Sequence, residues 1–272
     1  EAARGGKAVW VLDRPNPAGR PVEGTLLRPG QESFVGAAPM PMRHGLTMGE
    51  MGAWFVRTFN LDVEYRVIEM HDWLPEAGPG YGWPESRIWI NPSPNAASLN
   101  MARAYAGTVM LEGATLSEGR GTTRPLEVLF GAPDLDARAV LAEMQRLAPE
   151  WLAGCALRES WFTPTFHKHA EMLCNGLMIH AEGAFYEHEA FRPWRLQALA
   201  FKAIRGLHPE YPIWRDFAYE YEFDRLAIDV INGGPGLREW VDDGAAEADD
   251  LDAVSSADEA RWREEVADLL IY

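Results

Sequence analysis

"AVWVLDRPNP" fills residues 8–17, and the class of the fold turns on how it is read. Ala8–Leu12 is a continuous apolar run with β-branched members, the pattern of a strand buried in a parallel sheet. Pro15 and Pro17 then stop it, leaving Asp13, Arg14 and Asn16 just past its C-terminal end. Open α/β sheets place their ligands at that end of their strands. The residues ahead, "EAARGG", read as the last turn of a helix with Gly5-Gly6 as its stop. A domain seldom begins with the end of a helix, so the expectation is that residues precede this start. It has no signal-peptide pattern.

Outward from this strand, Thr47-Met48-Gly49-Glu50 is a capping box. Met51, Phe55 and Phe59 follow at helical spacing, which predicts a helix near 48–59. Val63, Tyr65 and Val67 alternate with polar residues, predicting a half-buried strand over 62–69. Residues 74–96 are rich in Pro, Gly, Trp and Asn and read as a long loop around one short strand. Thr108–Leu111 reads as another short buried strand. Asp136 caps a predicted helix through Arg146, with Val140, Leu141, Met144 and Leu147 on one face. Ala156–Phe162 and Leu177–His180 read as strands flanking a helix at 166–174, and a further helix covers about 189–206. Residues 242–252 read as an acidic solvated linker. Ser256 and Glu259 form a second capping box, before a helix that buries Trp262, Val266 and Leu269. Strands alternate with helices, which makes the class α/β.

The chain has 272 residues and a formal charge of −16. Such a surface repels phosphate backbones, which argues against non-specific nucleic-acid binding but leaves room for an anionic ligand in a local basic pocket. Lysine occurs only at positions 7, 168 and 202, so arginine carries the positive charge. No apolar run approaches the 18 or so residues a membrane span needs. Cys155 and Cys174 fit no zinc pattern; buried free thiols are the ordinary reading, with one disulfide as the alternative.

No GxSxG elbow and no GxxxxGK[ST] loop occurs. Gly119 and Gly121 make a lone GxG followed by Pro125, which opposes a phosphate-binding helix start. The histidines at 44, 71, 167, 169, 180, 188 and 208 have no metal-ligand spacing. What remains is a series of polar loops after apolar strands: Asp13–Pro17, Val22–Gly24, Arg43–Gly45, Pro92–Asn95 and Glu112–Arg124. Planar bidentate side chains of this kind bind hydroxyls, and arginine binds carboxylates. Trp73, Tyr81, Trp83 and Trp89 could stack on a sugar or simply fasten their loop. Glycosidases normally need two placed carboxyl groups, one of them a proton donor. The loop candidates are Glu23, Glu112, Glu118 and Glu127, and spacing alone does not choose a pair.

The loops "VLDRPNP" (11–17), "VEG" (22–24), "SFVG" (33–36), "RHGLTMGE" (43–50), "PSPN" (92–95), "LEGATLSEGRGTTRPLE" (111–127), "GAP" (131–133) and "FTPTFHKHAEMLCNGLMIH" (162–180), in this order, resemble the NamZ-type exo-β-N-acetylmuramidases. These form glycoside hydrolase family 171, long catalogued as a domain of unknown function. The likeness runs through the closing "LLIY". It implies a bacterial protein with a Rossmann-like domain, over 1–127, and a smaller α/β domain, over 128–272, with the site in the cleft between them. It also implies release of terminal N-acetylmuramic acid from peptidoglycan fragments in wall recycling, in a secreted or periplasmic protein (a cytoplasmic one being the alternative), with no metal or other cofactor.

One motif departs. The family's catalytic candidate is a glutamate in a "PEHG"-like motif upstream of "DRPNP", and here His44-Gly45 follows Arg43 instead. The expectation is a family member lacking its first third, with the main catalytic glutamate on the absent part and Glu118 the candidate within this chain. Under the resemblance, Arg14 and Asn16 end a strand in the crevice, and Glu118 and Arg120 form the opposite lip. Arg120, then Arg43, is the candidate for the lactyl carboxylate. Asn95 and Ser117 would bind hydroxyls or the acetamide, and Glu23, His44 and His180 complete the set. Two other functions stay open: a non-catalytic wall-sugar binder, and another glycosidase or transferase on an acidic sugar.

Overall fold

The computed structural model describes residues 1–272 apart from Pro79 and Glu85. Strands β1 (Val9–Leu12) and β2 (Tyr65–Ile68) pair in parallel, with Val9 opposite Tyr65 and Leu12 opposite Ile68. Helix α1 (Met48–Thr58) connects them, and its capping box forms as read: Thr47 accepts from the Glu50 amide while the Glu50 carboxylate accepts from the Thr47 amide. Asp13, just past β1, accepts from Thr47 Oγ1 at 2.7 Å and from the Gly49 amide at 2.9 Å. One short side chain thus locks the strand end to the helix start. A side chain at Gly49 would meet Val67 Cγ1 at 2.6 Å and Asp13 Oδ2 at 2.9 Å, so only glycine permits that approach. β1 differs from the expected buried strand. It alternates, and Trp10 and Leu12 are exposed at 56% and 70%, because α1 covers only the other face.

The rest of the chain is built on an antiparallel sheet of order β3-β5-β4, with β3 at Val128–Ala132, β4 at Ala156–Phe162 and β5 at Cys174–His180. Helix α2 (Leu99–Thr108) precedes it, and α3 (Ala137–Leu147) starts at the Asp136 cap as read. Helix α4 (Pro193–Leu207) is buried from Pro193 to Ile204 and packs against both. Its apolar residues join Leu129, Phe130, Leu177 and Ile179 of the sheet in the main core. α5 (Ala227–Asn232), α6 (Gly236–Asp242) and α7 (Ala248–Val266) follow. α7 returns to the β1–β2 unit. Its Trp262 is fully buried, meets Trp54 at 5.0 Å between rings and donates to the His44 carbonyl at 2.8 Å.

The mixed α/β class holds, but several elements differ from the expectation. Thr108–Leu111 is the end of α2 and the 3-10 turn after it, not a strand. α2 lacks an apolar stripe. It buries Asn100 and Arg103 on carbonyls and carboxylates, and Gly107 against the Pro193 carbonyl. The helix expected at 166–174 is a run of turns, since His167, His169 and Glu171 have φ of 73°, 54° and 65°, which no right-handed helix accommodates. α7 begins at Ala248 on a Glu247–Asp250 capping box, so Ser256 lies mid-helix and much of the expected acidic linker is helical. No strand forms among the described residues of 74–96, and Ile88 and Ile90 are exposed. The cysteines are free thiols, Cys174 buried and Cys155 partly so.

Candidate functional site

The predicted site residues fall into two neighbouring groups. In the first, Asn16, Arg43 and His44 line one cavity of about 210 Å³, closed on its far side by Tyr105 and Ala106 of α2. Asn16 is fixed at both ends of its amide, Nδ2 donating to the Leu46 carbonyl at 3.0 Å and Oδ1 accepting from the Ala18 amide at 2.9 Å. Arg43 is buried and donates to the Ala18 and Phe191 carbonyls. Among the described residues no carboxylate lies within 4 Å of it. Burial lowers its pKa. Burial also brings His44 down to about 4 against the pull of Glu50, so its ring is neutral near pH 7 and Nδ1 accepts from the Leu46 amide.

Behind Arg43 sits a cluster that the sequence did not reveal. Arg103 of α2 lies over the Tyr186 ring at 3.9 Å. The Tyr186 hydroxyl meets His188 Nδ1 at 2.6 Å, and Tyr81 stacks flat on the His188 ring at 4.6 Å. Burial, with Arg43 and Arg103 pushing the same way, lowers His188 to about 4. Neither arginine forms an ion pair within 4 Å among the described residues; Glu23 and Glu189 act on Arg43, and Glu182 on Arg103, only from farther away. Buried charge left in that state favours an anionic guest.

The second group is the 111–127 loop. Glu118 is fully buried, with Lys168 Nζ 2.8 Å from Oε2, and Arg120 Nε at 2.9 Å and His167 Nδ1 at 3.2 Å from Oε1. Burial opposes the Glu118 charge, but Lys168 and His167 outweigh it and the carboxyl sits below its ordinary value. Lys168 also donates to the Leu111, Ala114 and Leu116 carbonyls. Arg120 spans Glu118 and Glu112, the latter at 2.5 Å, and Glu112 accepts from Tyr219 at 2.8 Å. Ser117 is buried, its hydroxyl accepting from the Gly119 amide. Arg124 joins Glu127 to Glu182. Glu112 and Glu118 fill the Arg120 fork, leaving none to offer a carboxylate, while Glu118 is sealed beside Lys168 with its Oε2 accepting no hydrogen bond. Tyr105 links the groups: its phenol is raised by burial and by Glu112 beside it, while its ring lines the cavity.

Other candidates stand elsewhere. Glu23 is buried and caps α4, accepting from the Trp194 and Arg195 amides at 3.0 and 2.9 Å. Burial raises its pKa despite Arg195. His180 faces Glu182 and Arg158 at the end of β5. Arg14 is exposed and Asn95 half-buried, and neither lines the cavity. The loop aromatics act as fasteners: Trp73 meets Tyr272 at 5.0 Å, Trp83 meets Trp89 at 5.1 Å, and Tyr81 covers His188. Tyr105 and Lys168 were missed. Tyr105 sits on the unread helix, whereas Lys168, one of three lysines, carried a faint signal in "FHKHAE". Among the described residues, no group of three or more His, Cys, Asp or Glu side chains could hold a metal ion.

Fold and cavity together define a mixed α/β protein with a pocket where its N-terminal loops meet α2, lined by an arginine and, among the described residues, by no carboxylate. The chain belongs to the NamZ family: residues 1–100 match the family described as exo-beta-N-acetylmuramidase NamZ, N-terminal, and residues 103–272 match its C-terminal counterpart. The cavity lies at the meeting of the two matched regions. The peptidoglycan beta-N-acetylmuramidase NamZ of Bacillus subtilis (strain 168) is 35% identical over 232 residues, which cover 84% of this chain and 52% of that protein. The chain thus spans about half the length of the curated relative it matches. Crystal structures of two DUF1343 family proteins from Bacteroides fragilis superpose over the whole chain and 68% of theirs, with TM-scores of 0.78 and 0.73 at 22% and 23% identity.

Proposed function

We propose that this chain is the sugar-binding part of an exo-β-N-acetylmuramidase acting on peptidoglycan fragments in wall turnover, on the secreted or periplasmic side of the membrane. The observation that carries this reading is Arg43, a buried arginine on the wall of a small cavity, its guanidinium held by the Ala18 and Phe191 carbonyls and, among the described residues, by no carboxylate. Muramic acid differs from glucosamine by a lactyl carboxylate, the group such an arginine would hold. The carboxylate role thereby moves from Arg120, whose fork is filled by Glu112 and Glu118, to Arg43. Asn16, His44 and Tyr105 border the remaining space, where hydroxyls and the acetamide would lie. The relationship to NamZ supports the same substrate class.

A second reading, sugar binding without turnover, has its own support: among the described residues no carboxylate lines the cavity. Calorimetry with N-acetylmuramic acid, run beside release from a chromogenic N-acetylmuramide by a protein extended to the full length of the curated relative, separates the two. Binding with turnover supports the enzyme, binding without turnover in the extended protein supports the lectin-like role, and absence of binding overturns both. For the clamp itself, esterifying the lactyl carboxylate should weaken binding at least about tenfold, the worth of one charged hydrogen-bond pair. Equal affinity for acid and ester removes Arg43 from that role.

A further inference from the structure

Two tight turns place large aromatic side chains side by side in solvent. Ser33 and Gly36 close one turn with reciprocal backbone bonds, and Tyr219 and Glu222 close the other. Their tips bring Phe34 and Tyr221 to 5.4 Å between ring centroids at 81°, although the two are 72% and 77% exposed. Phe223, beside them in sequence, is 79% exposed. Arg225 pins the turns together, forming an ion pair with Glu222 and donating to Gln31 Oε1 and the Glu32 carbonyl. Glu220 and Tyr221 both hold left-handed conformations, with φ of 45° and 71°. Such backbone costs energy and persists only where the surroundings impose it, most often at functional sites. Burying these rings would have gained free energy; the turns hold them out instead.

The pair is joined to the candidate site by two routes. Phe34 borders an apolar trough of about 350 Å³ that shares Met42 and His44 with the Arg43 cavity. Tyr219, at the base of the second turn, bonds Glu112 of the lip. A ligand running outward from the cavity along the trough therefore meets Phe34, with Tyr221 packed edge-on beside it. A pyranose ring offers a face of C–H bonds that packs on an aromatic ring, and a ring fixed in advance loses little entropy on contact.

We propose that Phe34 and Tyr221 are the residues that pack, as a platform, on the second sugar of a saccharide whose first sugar is held at Arg43. This rests on the sugar-cleft reading above. It is tested by calorimetry with N-acetylmuramic acid and with the corresponding disaccharide, its second residue N-acetylglucosamine, joined through sulfur to prevent turnover. The wild-type protein should bind the disaccharide more tightly than the monosaccharide. Phe34→Ala and Tyr221→Ala should each cut disaccharide affinity about 3- to 10-fold, leave monosaccharide affinity unchanged, and be rescued by Phe34→Tyr and Tyr221→Phe. Equal losses on both sugars, no loss on either, or tightening only when a stem peptide is attached to the monosaccharide would overturn the platform alone. A wild-type protein that binds neither sugar overturns the sugar-cleft reading and the platform with it. Both side chains are exposed, so the variants keep the fold.

Discussion

The N-terminal unit and the sheet-and-helix body are held together in different ways. The body has one continuous apolar core in which Phe130, Leu177, Leu199, Phe201 and Ile204 are fully buried. The N-terminal unit has a small cluster of Val22, Leu26, Ala38, Leu46 and Trp54, completed by Trp262 and Val266 of α7. It buries Asp13, Glu23, Arg43 and Glu50 alongside. Arg20 grips Glu50 through two contacts of 2.5 and 2.7 Å, and Arg195 gathers Glu259, Asp252 and the region of Glu23. Where apolar area is scarce, the loops are fixed by satisfied polar networks. A loop dense in charge is therefore as often a brace as a binding surface, and Arg43 differs from the braced arginines in resting on backbone carbonyls, with no carboxylate within 4 Å among the described residues.

The contrast can be broken at either end. Glu23→Ala should cost about 3–5 kcal/mol in urea unfolding, because it strands the α4 amides and weakens the Arg195 network. Phe201→Ala, in the apolar body, should cost a similar ~3–5 kcal/mol through the cavity it leaves. A loss below about 1 kcal/mol at Glu23 would mean that the N-terminal unit does not depend on its charges.

Acid should act next. His188 is held at about 4 against an ordinary 6.5, so below pH 6.5 the unfolded chain takes up a proton that the folded chain refuses. Its share of stability is therefore lost between pH 6.5 and 4 and amounts to about 3 kcal/mol. Glu23, raised by burial, works in the opposite direction, favouring the fold as pH falls. Comparing wild type with His188→Asn isolates the histidine: the variant's stability curve should be flatter over that window, and parallel curves would refute the assignment. Asp136→Ala, removing the α3 cap, should cost about 1 kcal/mol. Arg138→Ala, on an ion pair whose arginine is mostly in water, should change stability by less than about 1 kcal/mol. A larger loss there would show that surface charges matter to the body as well.

Much of this was legible in the sequence. Thr47/Glu50 and Asp136 announced their helices, and the segment 156–162 read as the strand that forms β4, because those signals are local. α2 was hidden, since its buried face is Asn100, Arg103 and Gly107, residues made acceptable only by distant partners at Glu127, Ala181 and Pro193. The 166–171 segment reads as helical by composition, but its conformation is imposed by contacts with Gly121 and Glu118. The site followed the same division. Asn16, Arg43 and His44 were visible as polar residues near apolar runs. Their convergence with Tyr105 depends on how α2 packs, and no spacing encodes it.

The ties that close the N-terminal unit come from the far end of the chain. Tyr272 donates to Asp13 at 3.0 Å, the Ile271 amide donates to Glu50 at 2.9 Å, Trp262 reaches the His44 carbonyl, and Asp258 receives the Leu26 amide. Proteins are made from the N-terminus onward, and their early segments usually fold as they emerge. Here Asp13 and Glu50, already held by Thr47, Gly49 and Arg20, gain their last partners, and Leu26 its acceptor, only from residues 258–272. During synthesis this unit therefore closes only after partners more than two hundred positions downstream have emerged, and until then it is open to chaperones and proteases.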